Sequence, residues 1–221
     1  TPGYITCVAV DKEYWRQGIG SKVLLYLESF LKSKGKTFIR TFFANPINLK
    51  WYVPGYDKHE HAGAPAVEIN SAFYFLLMAN GYNTNGQQDA YHVDLTKFKM
   101  PQKVLDKIAE NDKDGYTITI YDSKKHHGFD ELFDALGSEG WRQAIHNNLA
   151  KEKPLPILID PKAQARGLGK TMFCSLCQKS KENGSTFMTL FTGSDNKARN
   201  IYLYAGLRVV RSFAIMRKEL I

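Results

Sequence analysis

The hydrophobic and polar positions of the chain form one series of patterns that occurs twice. Apolar runs at residues 5–10 and 157–159 predict strands, and a glycine-containing turn follows each run. Apolar residues at helical spacing come next: Val23, Leu24, Leu27 and Leu31 in the first series, and Met172, Phe173 and Leu176 in the second. The sequence therefore predicts two units of strand, glycine turn and helix.

The patterns that follow each unit also repeat. The first series predicts strands at 1–10, 37–43 and 91–95 and helices at 21–34 and 70–80. The second predicts strands at 154–159, 187–191 and 209–216 and helices at 171–181 and 195–204. Between them, the pattern predicts a strand at 116–121 and helical segments over 126–148 with a break at 137–140. We expect a mixed α/β fold in two copies, with residues 1–98 as the first domain, 99–112 as a linker and 113–221 as the second domain.

The first copy contains an insertion. Gly18 and Gly167 are 149 residues apart, whereas Gly81 and Gly206, which end the second predicted helices, are 125 residues apart. The difference is 24 residues, about the length of the irregular segment 45–69. We therefore interpret segment 45–69 as a loop added to the first copy.

Histidines and acidic residues in predicted loops are candidates for metal binding or base catalysis. Asp57, His59 and His61 lie in the inserted loop, and His126 and His127 precede a predicted helix. A solvated surface loop is the commoner setting for such residues, and we favour it at both places.

The cysteines argue for a reducing environment. The chain has three, Cys7, Cys174 and Cys177, which is an odd and small number that does not suit a disulfide framework. Cys174 and Cys177 form a C-x-x-C inside a predicted helix, without a second Cys or His pair at zinc-finger spacing. Packing on one helix face is favoured over metal or redox chemistry, so we expect no metal and a cytoplasmic location.

The charge of the chain suits an anionic ligand. Thirty Lys and Arg against 22 Asp and Glu leave a formal net charge of +8. The basic residues are dispersed, and no aromatic-laced basic strand pair is present, so a nucleic-acid partner is not expected. No apolar run approaches the ~20 residues that a membrane-spanning helix needs, so no membrane partner is expected.

The two glycine turns are the strongest candidate for binding chemistry. Gly18 and Gly20, and again Gly167 and Gly169, stand one residue apart where a helix begins. Two such glycines allow a tight turn whose N–H groups converge at the positive end of the helix dipole, which is an arrangement that holds phosphate. Glycine also caps helices for structural reasons alone, but the repetition with a nearby Arg favours anion binding.

Two motifs in register resemble those of the GCN5-related N-acetyltransferase (GNAT) family in a tandem arrangement. The segment 164–169, Gln-Ala-Arg-Gly-Leu-Gly, matches the family's phosphate-binding pattern, and the first copy has Trp15 where the family has Gln or Arg. A second family signature is followed by Asp195, Ala198, Tyr202, Gly206 and Leu207 in the second copy, and by Asn70, Phe73, Leu77, Gly81 and Tyr82 in the first.

The resemblance implies binding of acetyl-CoA as cosubstrate, with its diphosphate on the turns and its pantetheine arm beside the preceding strand. The implied cofactor-binding residues are Val8, Val10, Arg16, Gln17, Gly18, Gly20, Ser21, Ile157, Ile159, Gln164, Arg166, Gly167, Gly169 and Lys170. Family members also carry strands and helices before the turn that this sequence holds only in part, so the first copy is expected to be incomplete and a segment to precede residue 1.

The resemblance also implies a reaction. A primary amine of a small molecule or peptide attacks the thioester directly, and Tyr202 protonates the leaving thiolate, with Tyr204 as the fallback donor. Leu77 replaces that Tyr in the first copy, which is then inactive, uses another donor such as Tyr74, or serves to bind and brace. The alternatives are a catalytically reduced CoA-binding or scaffold protein and, less favoured because a third glycine is missing, a Rossmann-type nucleotide-binding enzyme.

Overall fold

The computed structural model of the protein describes residues 1–42, 49–61, 63–150 and 159–220. The strands are Pro2–Tyr4 (β1), Phe38–Arg40 (β2), Trp51–Tyr52 (β3), Glu60–His61 (β4), Val67–Glu68 (β5), Asn83–Asp94 (β6), Phe187–Gly193 (β7) and Arg208–Glu219 (β8). The helices are Ile19–Ser33 (α1), Ala72–Ala79 (α2), Gln102–Lys113 (α3), Phe129–Leu136 (α4), Glu139–Leu149 (α5), Leu168–Glu182 (α6) and Arg199–Tyr204 (α7). The predicted mixed α/β fold is confirmed.

The chain divides into two compact units whose segments alternate along the sequence. Unit 1 comprises the described residues of Thr1–Val93, Phe187–Asn200 and Leu207–Ile221, and unit 2 comprises those of Asp94–Thr186 and Ile201–Gly206. These units are defined by packing, whereas the division at 98 and 113 is drawn on the sequence repeat and stays a prediction.

Unit 1 is built on a mixed sheet in the order β1-β2-β8-β6-β7, with β5 also pairing with β8. Strands β1 and β2 run parallel, and β8 is antiparallel to β2, β5 and β6. The last strand of the second copy, β8, therefore lies between two strands of the first copy. The last strand of the first copy, β6, lies in turn beside β7 of the second copy.

The core of unit 1 forms where α1 and α2 pack on this sheet. Leu24 on α1, Ile39 on β2, Leu77 on α2 and Met216 on β8 are all fully buried in one cluster. Burying a side chain of this size contributes about 1.5–3 kcal/mol, so this cluster fixes α1 and its preceding turn against the sheet.

Unit 2 is mainly helical. Helix α3 packs against α6, and the Lys181 ammonium at the end of α6 donates to the carbonyls of Thr96 and Phe98 at 3.0 and 2.8 Å. Helices α4 and α5 form a hairpin in which Phe133 and Ile145 are buried. None of the helices in the described ranges is long and apolar enough to cross a membrane.

Two sequence expectations differ from the structure. Of the strand predicted at 1–10, only Pro2–Tyr4 pairs in the sheet, and residues 116–121 are irregular with Ile120 largely exposed. Alternating residues form a strand only when a neighbouring strand supplies their hydrogen bonds, and the described chain supplies none there. Residues 154–158 of the predicted strand at 154–159 lie outside the described residues. Helix α3 begins within the expected linker, whose bounds stay a prediction.

Candidate functional site

The first glycine turn starts from a capped single turn of 3₁₀-helix, Lys12–Tyr14. The carboxylate of Asp11 accepts a hydrogen bond from the Glu13 N–H at 3.3 Å and so caps this turn. The chain then passes through a positive φ of 63° at Arg16 and 74° at Gly18 before α1 begins at Ile19. A φ in the left-handed region suits glycine, which explains Gly18.

The second turn has the same backbone, position for position. Asp160 accepts from the Lys162 N–H at 2.7 Å and caps the 3₁₀ turn Pro161–Ala163. Ala165 and Gly167 then take φ values of 66° and 77°, and α6 begins at the next residue. Each of these positions lies 149 residues after its counterpart. The predicted repeat of the turn is therefore present in the structure.

Both helices begin without a side-chain cap. Gly18 and Gly167 stand at the N-caps of α1 and α6, and neither glycine has a side chain that could hydrogen-bond to the helix start. The first N–H groups of an α-helix have no partner within the helix, and they carry the positive end of its dipole. Each turn thus presents converging backbone N–H groups, which can donate hydrogen bonds to an anionic group.

The second glycine of each turn allows a second helix to approach. A Cβ on Gly20 would lie 3.3 Å from Cδ1 of Leu76 on α2, and one on Gly169 would lie 2.7 Å from Cδ1 of Ile201 on α7. Leu76 and Ile201 are 125 residues apart, which is the spacing of the second predicted helices. In both copies, the second helix therefore packs against the second glycine of the turn.

Tyr202, the predicted acid, follows Ile201 on α7. Its ring lies 4.9 Å from that of Phe173 on α6, and burial raises the pKa of its phenol. A raised pKa keeps the phenol protonated, which is the state that a proton donor needs. Its counterpart in the first copy, Leu77, is fully buried in the core and has no proton to give.

The residues before the first turn alternate between exposed and half-buried positions, as in an extended chain. Val8 and Val10 are half-buried, and Cys7 and Ala9 between and beside them are exposed. The indole Nε1 of Trp15 donates to the Val10 carbonyl at 2.7 Å, so the residue that departs from the family pattern ties the turn to this segment. In the second copy Ile159 is half-buried, and Ile157 lies outside the described residues.

The side chains predicted to line the turns have different surroundings. Gln17 donates to the Glu13 carbonyl at 3.3 Å, and the Ser21 hydroxyl accepts from the Asn80 amide at 3.1 Å. In the second turn, Gln164 is exposed and Lys170 lies over the Tyr204 ring at 4.6 Å.

Arg16 in the first turn and Arg166 in the second turn have different surroundings. Arg16 is exposed, and none of the described residues forms an ion pair with it. The Arg166 guanidinium lies 3.4 Å from the Asp114 carboxylate and 5.1 Å from the ring centre of Tyr116.

In the inserted loop His61 is buried and His59 is half-buried, contrary to the solvated setting that we expect, whereas Asp57 is exposed. His61 is 1% exposed, with Nδ1 2.9 Å from the Gly63 carbonyl and Nε2 3.2 Å from that of Leu190. Nδ1 of His59 lies 2.9 Å from Nε2 of His92. The two histidines dock the β3–β4 hairpin on the sheet, and across the described ranges no three His, Cys, Asp or Glu side chains group to hold a metal.

The C-x-x-C cysteines are packing residues. Cys174 and Cys177 are both fully buried on α6. Burial raises the pKa of both thiols, that of Cys177 to about 12. A thiol with so high a pKa is a poor nucleophile at neutral pH.

Comparison with known proteins shows a sequence similarity that includes the first turn and a similarity of fold. Residues 1–53 match the family described as "Acetyltransferase (GNAT) family". The match covers the first turn, so Trp15 does not remove the first copy from the family's pattern. No curated protein matches the chain in sequence.

The fold is that of the GNAT acetyltransferases. A GCN5-related glucosamine N-acetyltransferase region of a fungal multi-domain GH3 beta-N-acetylglucosaminidase superposes with a TM-score of 0.65 at 12% identity, over 97% of this chain and 29% of its own. A GCN5-related N-acetyltransferase from Sphaerobacter thermophilus gives 0.58 at 10% identity, over 96% of this chain and 71% of its own. A tandem GNAT protein from the clavulanic acid biosynthesis pathway gives 0.53 at 9% identity, over 99% of this chain and 75% of its own.

The resemblance to the GNAT family is thus confirmed, in sequence over residues 1–53 and in fold over nearly the whole chain. The chain spans less than a third of the fungal protein's length.

Proposed function

We propose that the protein is an N-acetyltransferase that moves an acetyl group from acetyl-CoA to a primary amine. The observation that carries the proposal is the formation of the same turn twice, each time with uncapped amides at the start of a helix. Backbone amides arranged in this way bind phosphate through donors that cost no side-chain ordering.

The charges of the chain support a diphosphate ligand. Arg16 and Arg166 flank the two turns, and the chain carries a formal net charge of +8. A guanidinium donates two parallel hydrogen bonds to phosphate and gives a bound diphosphate a fixed orientation.

The reaction itself needs a nucleophile, an oxyanion donor and an acid. The neutral amine nitrogen forms a bond to the thioester carbon, a backbone N–H stabilises the oxyanion, and the carbon–sulfur bond then breaks. The thiolate leaves as a thiol by taking the phenolic proton of Tyr202, the amide nitrogen loses its extra proton to solvent, and the Tyr202 phenolate regains a proton from solvent.

The chemistry falls to the second copy in this proposal. Tyr202 is half-buried on α7, next to the Ile201 that approaches Gly169, whereas its counterpart Leu77 is buried in the core and apolar. We assign the first copy to binding CoA and to bracing the sheet.

Two measurements test the proposal. Calorimetry with CoA and with acetyl-CoA should give a dissociation constant that is micromolar or tighter, and no heat with either would count against it. A thiol-release assay with acetyl-CoA and a panel of amines should then show turnover. The panel includes glucosamine, because the fungal protein of similar fold is a glucosamine N-acetyltransferase region.

A non-catalytic CoA-binding protein is the second candidate function, and the buried Leu77 favours it for the first copy. Binding heat without thiol release from any amine would select this alternative. None of the three cysteines forms a disulfide, and we propose on this support that the protein works in a reducing compartment such as the cytoplasm.

A further inference from the structure

The two turns have the same backbone conformation, but they differ in the residues that cover them. A Cβ on Gly18 would meet nothing within 4 Å, whereas one on Gly167 would lie 3.4 Å from Cγ of Lys107 on α3. The difference continues along the helices, since Leu25 on α1 is 50% exposed and its counterpart on α6, Cys174, is fully buried. Helix α3 therefore covers the second turn, and none of the described residues covers the first in this way.

Helix α3 also brings negative charge to the second turn. Its Asp114 carboxylate lies 3.4 Å from Arg166, and its Glu110 carboxylate lies 2.6 Å from the ammonium of Lys107. Asp114 is the C-cap of α3, where the helix dipole adds a partial negative charge. Arg166 and Lys107, two of the cations next to the second turn, are thus already paired within unit 2.

A guanidinium presents the same donors to a carboxylate and to a phosphate. A diphosphate on the second turn would therefore compete with Asp114 for Arg166 and would be repelled by the end of α3. We propose that Asp114 is a built-in competitor that weakens CoA binding at the second turn, so that the first turn fills first. This inference rests on the proposed function, because it takes the turns to be CoA sites.

The size of the effect follows from the exposure of the pair. Both side chains are about half exposed, and such ion pairs are weak. Removing the Asp114 charge should therefore tighten CoA binding at the second turn by about threefold to fivefold. A residue that only supported the fold would weaken binding when it is replaced.

The test isolates the second turn with Gly18→Asp, which places a carboxylate at the start of α1. Asp tolerates a left-handed φ better than most residues, so the turn should keep its shape. If thermal melting shows that this variant is unfolded, Arg16→Glu takes its place. CoA is then titrated into this background alone, with Asp114→Asn, and with the control Asp112→Asn, which removes an exposed charge from the same helix.

We expect Asp114→Asn to tighten binding and Asp112→Asn to leave it unchanged, with the difference between them lost at high salt. Equal affinities for the two variants, weaker binding with Asp114→Asn, or no binding in any Gly18→Asp protein would overturn the inference alone, provided that the wild type binds CoA. No heat from the wild type would overturn the proposed function and this inference with it.

Discussion

At the scale of single residues, Tyr202 on α7 is the side chain to which our proposal assigns protonation of the leaving thiolate. Its ring packs on Phe173, and burial raises the pKa of its phenol. The raised pKa means that the acid form is present at any pH near neutrality.

Replacing Tyr202 with Phe should lower kcat about 100-fold, because the thiolate loses its proton donor, and should leave CoA affinity nearly unchanged. Steady-state kinetics and calorimetry measure the two effects. Tyr204→Phe is the matched control on the same helix and should retain activity. The assignment is wrong if Tyr202→Phe turns over at the wild-type rate.

Asp89 is a buried carboxylate in unit 1 that stays ionised. Burial alone would raise its pKa, but hydrogen bonds from Ser212, Gln87 and Ser194 at 2.7–2.9 Å outweigh burial and hold the pKa below its usual value. A group whose pKa is lowered by folding stabilises the protein above its unfolded pKa, about 3.9, and loses that contribution as pH falls through the folded pKa.

We therefore expect Asp89→Asn to destabilise the protein by about 1–3 kcal/mol at pH 7, because the donors of its neighbours lose a charged acceptor. The loss of stability between about pH 5 and pH 2 should become smaller than in the wild type. Urea unfolding at several pH values measures both effects. Asp57→Asn, at an exposed position, is the control. If Asp89→Asn lost as much unfolding free energy at acid pH as the wild type, Asp89 would not be the source of that loss.

Some residues of the turns can be predicted from the sequence and others cannot. Gly18 and Gly167 are predictable, because a left-handed φ at a helix start leaves few alternatives to glycine. Asp11 and Asp160 were missed, although they stand at the same distance before each turn. Their role as caps depends on a short 3₁₀ turn, and three residues carry too little periodicity to predict it.

At the scale of elements, the second glycine of each turn contacts the second helix of its copy, and this contact fixes the position of that helix against the turn. Gly169→Ala would place its Cβ 2.7 Å from Cδ1 of Ile201, so the Ile side chain or α7 must shift. We expect a loss of about 1–3 kcal/mol in the free energy of unfolding.

Ile201→Val, which removes the clashing methyl, should recover most of that loss in the double variant. Gly140→Ala is the control, because it lies inside α5 with open space around its Cβ and should stabilise the protein slightly. Thermal unfolding of the four variants measures the effects. A fully stable Gly169→Ala protein would show that the contact is looser than the structure describes.

Helices were easier to predict than strands, for a physical reason. Helices α1 and α6 carry apolar residues at helical spacing and were found within a few residues of their ends. Strand β6 begins at Asn83, eight residues before the predicted start, because its first half is polar. Pairing with β8 along its length stabilises that half, and such pairing is invisible in the local sequence.

At the scale of the whole chain, the strands of the two copies share one sheet. Strand β8 lies between β2 and β6, and it supplies buried residues including Phe213, Ala214 and Met216. The first copy therefore lacks part of its sheet and core without the end of the second.

We expect a fragment of residues 1–98 to be unfolded or aggregated, because β2 and β6 would lose their shared neighbour and expose edges. Circular dichroism and size-exclusion chromatography against the full chain measure this. Co-expression with residues 99–221 should restore soluble protein. A monomeric, cooperatively folded fragment would contradict the expectation and support 1–98 as an independent domain.

The contact of Leu76 with Gly20 and of Ile201 with Gly169 is the same in both copies, although one copy has 24 more residues between turn and helix. The span between β2 and α2 can therefore change in length without moving the turn, because the helix is held by its own packing. This makes the span a natural graft point. A loop transplanted there should leave both glycine turns, and the CoA binding that we propose for them, unchanged.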